Sequence, residues 1–113
     1  MRTRRTAQNL AITPATFRSS PASTLRGASC MPRREAEMRH QIGVDSIAWG
    51  SDYPHPEGTW PHTVENMKET FRQLPQDEIK KMLGQNALEW YGFDADKLAP
   101  IVARVGPKPA DFE

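Results

Sequence analysis

The chain has 113 residues, enough for one small domain, and its 37% apolar and 26% charged residues supply few core formers. The net charge of +1 hides a break, because residues 1–34 carry seven arginines and no acid while residues 35–113 carry eight basic and fourteen acidic residues. Such a break marks segments of different origin or role. The single cysteine, Cys30, excludes an internal disulfide, and its Ser/Gly/Pro surroundings offer no partner base, so it is read as an incidental thiol. No apolar run reaches the length of a membrane span, and no apolar stretch follows the early arginines as a secretory signal requires.

Residues 1–32 are rich in Arg, Ser, Thr, Ala and Pro, and Pro14 and Pro21 break any long amphipathic helix. Two readings stand for this segment: an organelle transit peptide, whose signature is Arg and Ser without acids, or a disordered or spurious leader. The second is preferred, and no packed structure is expected there. Residues 33–42 are helix-forming and end at Gly43, where a positive φ costs least. Residues 46–50 read as one buried strand ending in the polar Ser51-Asp52 pair.

Residues 53–61 (YPHPEGTWP) hold three prolines and a glycine and read as a loop. Pro61 suits the first turn of the next helix, residues 61–73, with Val64, Met67, Phe71 and the adjoining Leu74 on one face. A second helix starts at Pro75, carries Asp77 and Glu78 in its first turn and stops at Gly84. A third covers residues 86–91, with Asn86 as N-cap and Gly92 as stop. Residues 95–104 read as a final weak helix, and GPKPADFE reads as a tail.

Chemistry concentrates in Trp49-Gly50-Ser51-Asp52-Tyr53-Pro54-His55-Pro56-Glu57. A strand runs straight into an acid and then into a proline-stiffened loop. In parallel β/α folds catalytic groups stand at the C-terminal ends of strands, and a carboxylate there can hold a metal or take a proton from water. The prolines would present His55 and Glu57 at little entropic cost. An Asp after a strand also serves as an ordinary turn residue or helix cap, and spacing alone leaves both readings open. His62 is read as solvent-facing and His40 as a helix-end residue. Trp49 and Trp90 are read as core, whereas Trp60 in the loop is the best aromatic for substrate contact. The leader arginines lack interleaved aromatics, so no nucleic-acid partner is expected.

The run IAWGSDYPHPEGTWPHTVENMKETF, followed by LPQDEIKKMLGQNALEWYGFD, resembles the C-terminal end of the amidohydrolase-related family. This family comprises metal-dependent hydrolases and decarboxylases and includes the aminocarboxymuconate-semialdehyde decarboxylase-like enzymes. The resemblance covers about residues 35–104, and residues 1–32 resemble nothing in it. It implies that Asp52 matches the aspartate closing the eighth strand, which binds the metal or its activated water and acts as acid/base. His55, Glu57 and Trp60 match the loop bordering the substrate pocket, and GQNALEWYGF matches a terminal helix on the barrel exterior. The family site also takes a His-x-His pair and further histidines, whereas this chain has only His40, His55 and His62 and no His-x-His.

The expected fold class is therefore α/β: the C-terminal fragment of a (β/α)8 TIM-type barrel, which takes about 250 residues when whole. The isolated chain is expected to be mostly α with one short strand, with residues 1–32 a disordered or spurious basic leader and 33–113 the barrel segment. The expected function is that of a metal-dependent amidohydrolase fragment, inactive alone. It would act by hydrolysis or decarboxylation on a small carboxylated or amide-like substrate. A divalent metal, Zn²⁺ by preference, is the implied cofactor, with Asp52 as catalytic group and metal ligand. No membrane partner is expected, and the expected location is cytoplasmic, with organelle targeting by residues 1–32 as the alternative. The alternative function is a small non-enzymatic helical interaction protein.

Overall fold

The computed structural model describes residues 27–113. Strand β1 (Gly27–Ser29) lies parallel to strand β2 (Ile47–Trp49), with Gly27 opposite Ile47, Ala28 opposite Ala48 and Ser29 opposite Trp49. Parallel neighbours need a crossover. Here it is built from helices α1 (Arg33–Glu37) and α2 (Arg39–Ile42) and a 3₁₀ turn, Val44–Ser46. The helical run expected over residues 33–42 is present but interrupted at Met38. Gly43 ends it at φ 110°, a value that a side chain would strain.

The segment around β1 departs from the expectation for the leader. Residues 1–26 lie outside the described residues, but Gly27–Ser29 pair in the sheet and Met31 is buried in the core. The described residues thus hold two strands where one was expected, and β2 has a backbone partner. Ladder hydrogen bonding supplied what the composition of the segment did not announce.

Helix α3 (Thr63–Phe71) turns Met67, Thr70 and Phe71 inward, at the spacing of one helical face. Thr70 Oγ1 donates to the Met31 carbonyl at 2.9 Å, and Arg33 donates to the Arg72 carbonyl at 2.6 Å. Both bonds fasten α3 to the chain just after β1, the second by satisfying a carbonyl at the helix end. Pro61 does not start this helix: the helix begins at Thr63, and Pro61 belongs to the loop.

Helix α4 (Gln76–Lys80) does not stop at Gly84. It runs on through a π-helical turn, Lys81–Gln85, into α5 (Asn86–Tyr91). Asn86 is consequently no N-cap. It is buried, and its amide donates to the carbonyls of Val44 and Ile47, each at 2.7 Å. Gly92 ends α5 at φ 64°, as expected of a left-handed stop. Helix α6 (Ala95–Val105) follows, with the Asp94 side chain accepting from the backbone N–H groups of Asp96 and Lys97.

The C-terminal residues are not a loose tail. A 3₁₀ turn, Pro109–Phe112, buries the Phe112 ring edge-on against Phe71, with centroids 6.4 Å apart. The Gln73 N–H donates to the Phe112 carbonyl at 2.7 Å, and Lys68 pairs with Asp111 at 3.0 Å. Phe71, Ile79 and Met82 are the largest fully buried side chains, so the core lies between α3, the α4–π turn and β2. No helix among the described residues is long and apolar enough to cross a membrane.

Candidate active site at the end of the second strand

The chain leaves β2 through Gly50 and Ser51 and reaches Asp52, whose φ of 57° lies in the left-handed region. Asp is one of the few non-glycine residues that enters this region with modest strain. The Asp52 carbonyl accepts from the His55 N–H at 2.7 Å, which folds the chain into a tight turn. That turn brings the two side chains together, with His55 Nδ1 3.5 Å from Asp52 Oδ2. Both side chains are about half exposed, at 57% and 54%.

His55 Nδ1 also accepts from the Glu57 backbone N–H at 3.3 Å. The ring nitrogen therefore stands between a donor and an acceptor. A neutral ring protonated on Nε2 takes the Glu57 N–H, whereas an imidazolium would direct Nδ1–H toward Asp52. The Glu57 carbonyl in turn accepts from Cys30 Sγ at 3.8 Å. Glu57 thus enters the site through its main chain.

The base of the loop is closed by the Thr59 N–H, which donates to the Ser51 carbonyl at 2.9 Å, and by the hydroxyls of Thr59 and Thr63, 3.1 Å apart. Gly58 sits inside this closure. A Cβ there would come within 2.7 Å of the Ser51 carbonyl oxygen, 2.9 Å of that of His55 and 3.0 Å of that of Asp52. The Tyr53–Pro54 and Trp60–Pro61 peptide bonds are cis. Trp60 is 69% exposed and meets the equally open Tyr53 edge-on, with ring centroids 6.0 Å apart.

Of the four site residues expected from sequence, Asp52 and His55 are thus brought together. Glu57 contributes backbone groups, and Trp60 stands with Tyr53 on the outer side of the loop. Tyr53 and Cys30 were not singled out as site residues. Cys30 follows directly on β1, and only the strand pairing brings the end of β1 level with the end of β2. A hollow of about 350 Å³ lies between Cys30, Glu57, Thr59 and Thr70; Asp52 and His55 are not among its lining residues.

The other two histidines serve elsewhere. His40 Nε2 lies 2.5 Å from Glu78, which also accepts from Arg39 Nε at 2.6 Å. Burial works to raise the Glu78 carboxyl, but the hydrogen bonds from His40 and Arg39 and their charges outweigh it and hold the group below the ordinary glutamate value. The His62 carbonyl accepts from Asn66 at the start of α3. Trp49 is half-buried and packs against the core, as expected.

An acid just past a parallel strand, on a loop that leads into a helix, is the arrangement of a β/α barrel's functional face. Residues 12–93 match the family model for amidohydrolases. The chain belongs to the amidohydrolase family. The match begins within the segment read as a leader, so family sequence extends well before residue 35, and it ends just past α5. No curated protein and no solved structure matches the chain.

Amidohydrolases generally work with divalent metals. A catalytic zinc takes three protein ligands and keeps an open position. Asp52 and His55 stand about as far apart as two ligands of one tetrahedral ion, roughly 3.4 Å for bonds of about 2.1 Å. Among the described residues, however, no group of three or more His, Cys, Asp or Glu side chains converges to complete such a site. The described residues alone do not hold the metal.

Proposed function

We propose that this amidohydrolase chain carries the end of the barrel that closes the catalytic site of a metal-dependent hydrolase or decarboxylase, with Asp52 as its acid/base group. The observation that supports this reading is the position of Asp52, three residues past the end of β2 in a parallel pair, with His55 3.5 Å away. A half-exposed carboxylate there can accept a proton from an attacking water and return it to a leaving amine, or deliver one to the carbon that loses carbon dioxide. His55, Glu57 and Trp60 border the substrate, a small carboxylated or amide-like molecule.

In this reading Asp52 also supplies one metal ligand, with Zn²⁺ the preferred ion, and the remaining ligands come from outside the described residues. The 113-residue chain is then inactive alone.

Zinc titration of the chain followed by NMR of the His55 ring tests the reading. The expected result is weak, fast-exchange perturbation at His55 and Asp52, lost in Asp52→Asn, with no stoichiometric zinc kept through dialysis. Tightly held zinc would overturn the incompleteness of the site. Asp52 signals that ignore zinc would overturn the ligand role of Asp52.

A further inference from the structure

Helix α6 lies beyond the family match and has no buried residue. Its apolar side chains nevertheless fall on one face. Leu98, Ile101, Val102 and Val105 follow the i, i+3, i+4, i+7 spacing of a buried stripe, yet Ile101, Val102 and Val105 are 48%, 58% and 68% exposed. Beside the stripe runs an apolar groove of about 390 Å³, walled by Ile79, Leu83, Leu88, Val102, Pro107 and Phe112. Val102 belongs to both, so the ridge and the groove form one continuous surface.

We propose that this surface is a dimer interface, in which α6 of one copy packs antiparallel to α6 of a second copy and beside its groove. A chain that carries a ridge and an adjoining hollow is self-complementary under a two-fold axis, which is the requirement of an isologous dimer. The charges select the second copy and the direction. Asp96 stands at the N-terminal end of the helix and Arg104 at its C-terminal end, whereas Asp94 is paired with Lys97 at 3.7 Å and Lys108 Nζ donates to the Ala103 carbonyl at 2.7 Å. Antiparallel pairing sets Asp96 of each copy toward Arg104 of the other and opposes the two helix dipoles. Parallel pairing would stack like charges at both ends.

Gly84 lines the groove in the π turn, and a Cβ there would meet no atom within 4 Å. A side chain at residue 84 would therefore begin in open space at the groove.

Sedimentation of the full chain from about 1 to 200 µM tests the proposal. The expected result is a reversible monomer–dimer equilibrium whose dissociation constant rises at least about tenfold in Ile101→Asp and in Val105→Asp, with unchanged helical circular dichroism. Arg104→Glu and Gly84→Leu should weaken it as well. In a Cys30→Ser background, Val102→Cys should oxidise to a cross-linked dimer and Ala95→Cys should not, because antiparallel pairing about the stripe's centre separates the two copies of residue 95 by roughly 20 Å. A chain that stays monomeric at the highest concentration, association untouched by Ile101→Asp, or equal cross-linking at both positions would each overturn the proposal.

Discussion

The buried amide of Asn86 donates to the Ile47 carbonyl at 2.7 Å, and with its second hydrogen to the Val44 carbonyl at the same distance. One side chain on α5 thereby satisfies two backbone acceptors where the chain enters β2, the strand that leads to Asp52. Asn86→Ala removes both bonds and leaves both carbonyls without this donor, a cost of roughly 2–4 kcal/mol. Asn86→Asp, which sets an oxygen against two oxygens, should cost more. Urea denaturation should rank the chains Asn, Ala, Asp in falling stability; an Asp variant as stable as the parent would refute the assignment.

Phe112 anchors the C-terminal turn against Phe71 and is 3% exposed. Phe112→Ala should cost about 3–5 kcal/mol, because little around the ring can collapse into the space. For a chain this small that is most of the available stability. Denaturant unfolding followed by tryptophan fluorescence reads it. A shift below about 1 kcal/mol would show that the turn does not hold the core.

Gly58 has no room for a methyl group among the Ser51, Asp52 and His55 carbonyls. Gly58→Ala should force the loop open at about 1–3 kcal/mol and alter the NMR signals of His55 more than those of Phe71. Unchanged His55 resonances would refute the close approach.

Asp52 occupies left-handed backbone at φ 57°, a conformation that costs a β-carbon residue energy and glycine none. Asp52→Gly should leave stability within about 0.5 kcal/mol of the parent, since relief of strain offsets the added entropy of the unfolded chain, whereas Asp52→Ala should cost about 1 kcal/mol. An acid that can be removed without destabilising the fold, while zinc no longer perturbs His55, is one kept for chemistry. A large loss of stability in Asp52→Gly would make it a structural residue instead.

Acid should destabilise the fold through Glu78 and Asp111. The Lys108 backbone N–H and the Lys68 ammonium hold Asp111 low, against the effect of burial, much as His40 and Arg39 hold Glu78 low. A carboxyl held low when folded binds protons less readily than it does unfolded. Its stabilisation is complete above the ordinary carboxylate range of about 4 and is lost as pH falls through the depressed folded value. Unfolding free energies measured from pH 7 to pH 3 should fall, and fall less steeply in Glu78→Gln and Asp111→Asn. Slopes identical to the parent would remove these groups as the cause.

Elements with local causes were legible from residues alone. Periodicity located α3, glycines marked the ends at Gly43 and Gly92, prolines marked the loop, and the Gly-Ser-Asp run after an apolar strand pointed to Asp52. These signals act between residues a few positions apart, where backbone geometry and side-chain spacing decide the outcome. Four features escaped because distant groups decide them. Nothing in Gly27–Ser29 announces a strand until β2 offers its backbone. Gly84 and Asn86 look like a stop and a cap until two carbonyls at Val44 and Ile47 make burying Asn86 more favourable than ending the helix. Phe112 looks like a tail residue until Phe71 faces it. The turn at Asp52 brings His55 within 3.5 Å, which the spacing allowed but did not require. Local sequence determined which segments could be helix, strand or loop and placed an acid just past the apolar strand. Tertiary structure decided which segments paired and which side chains were buried, because a lone strand or an unpaired amide gains its stabilisation only from a partner far along the chain.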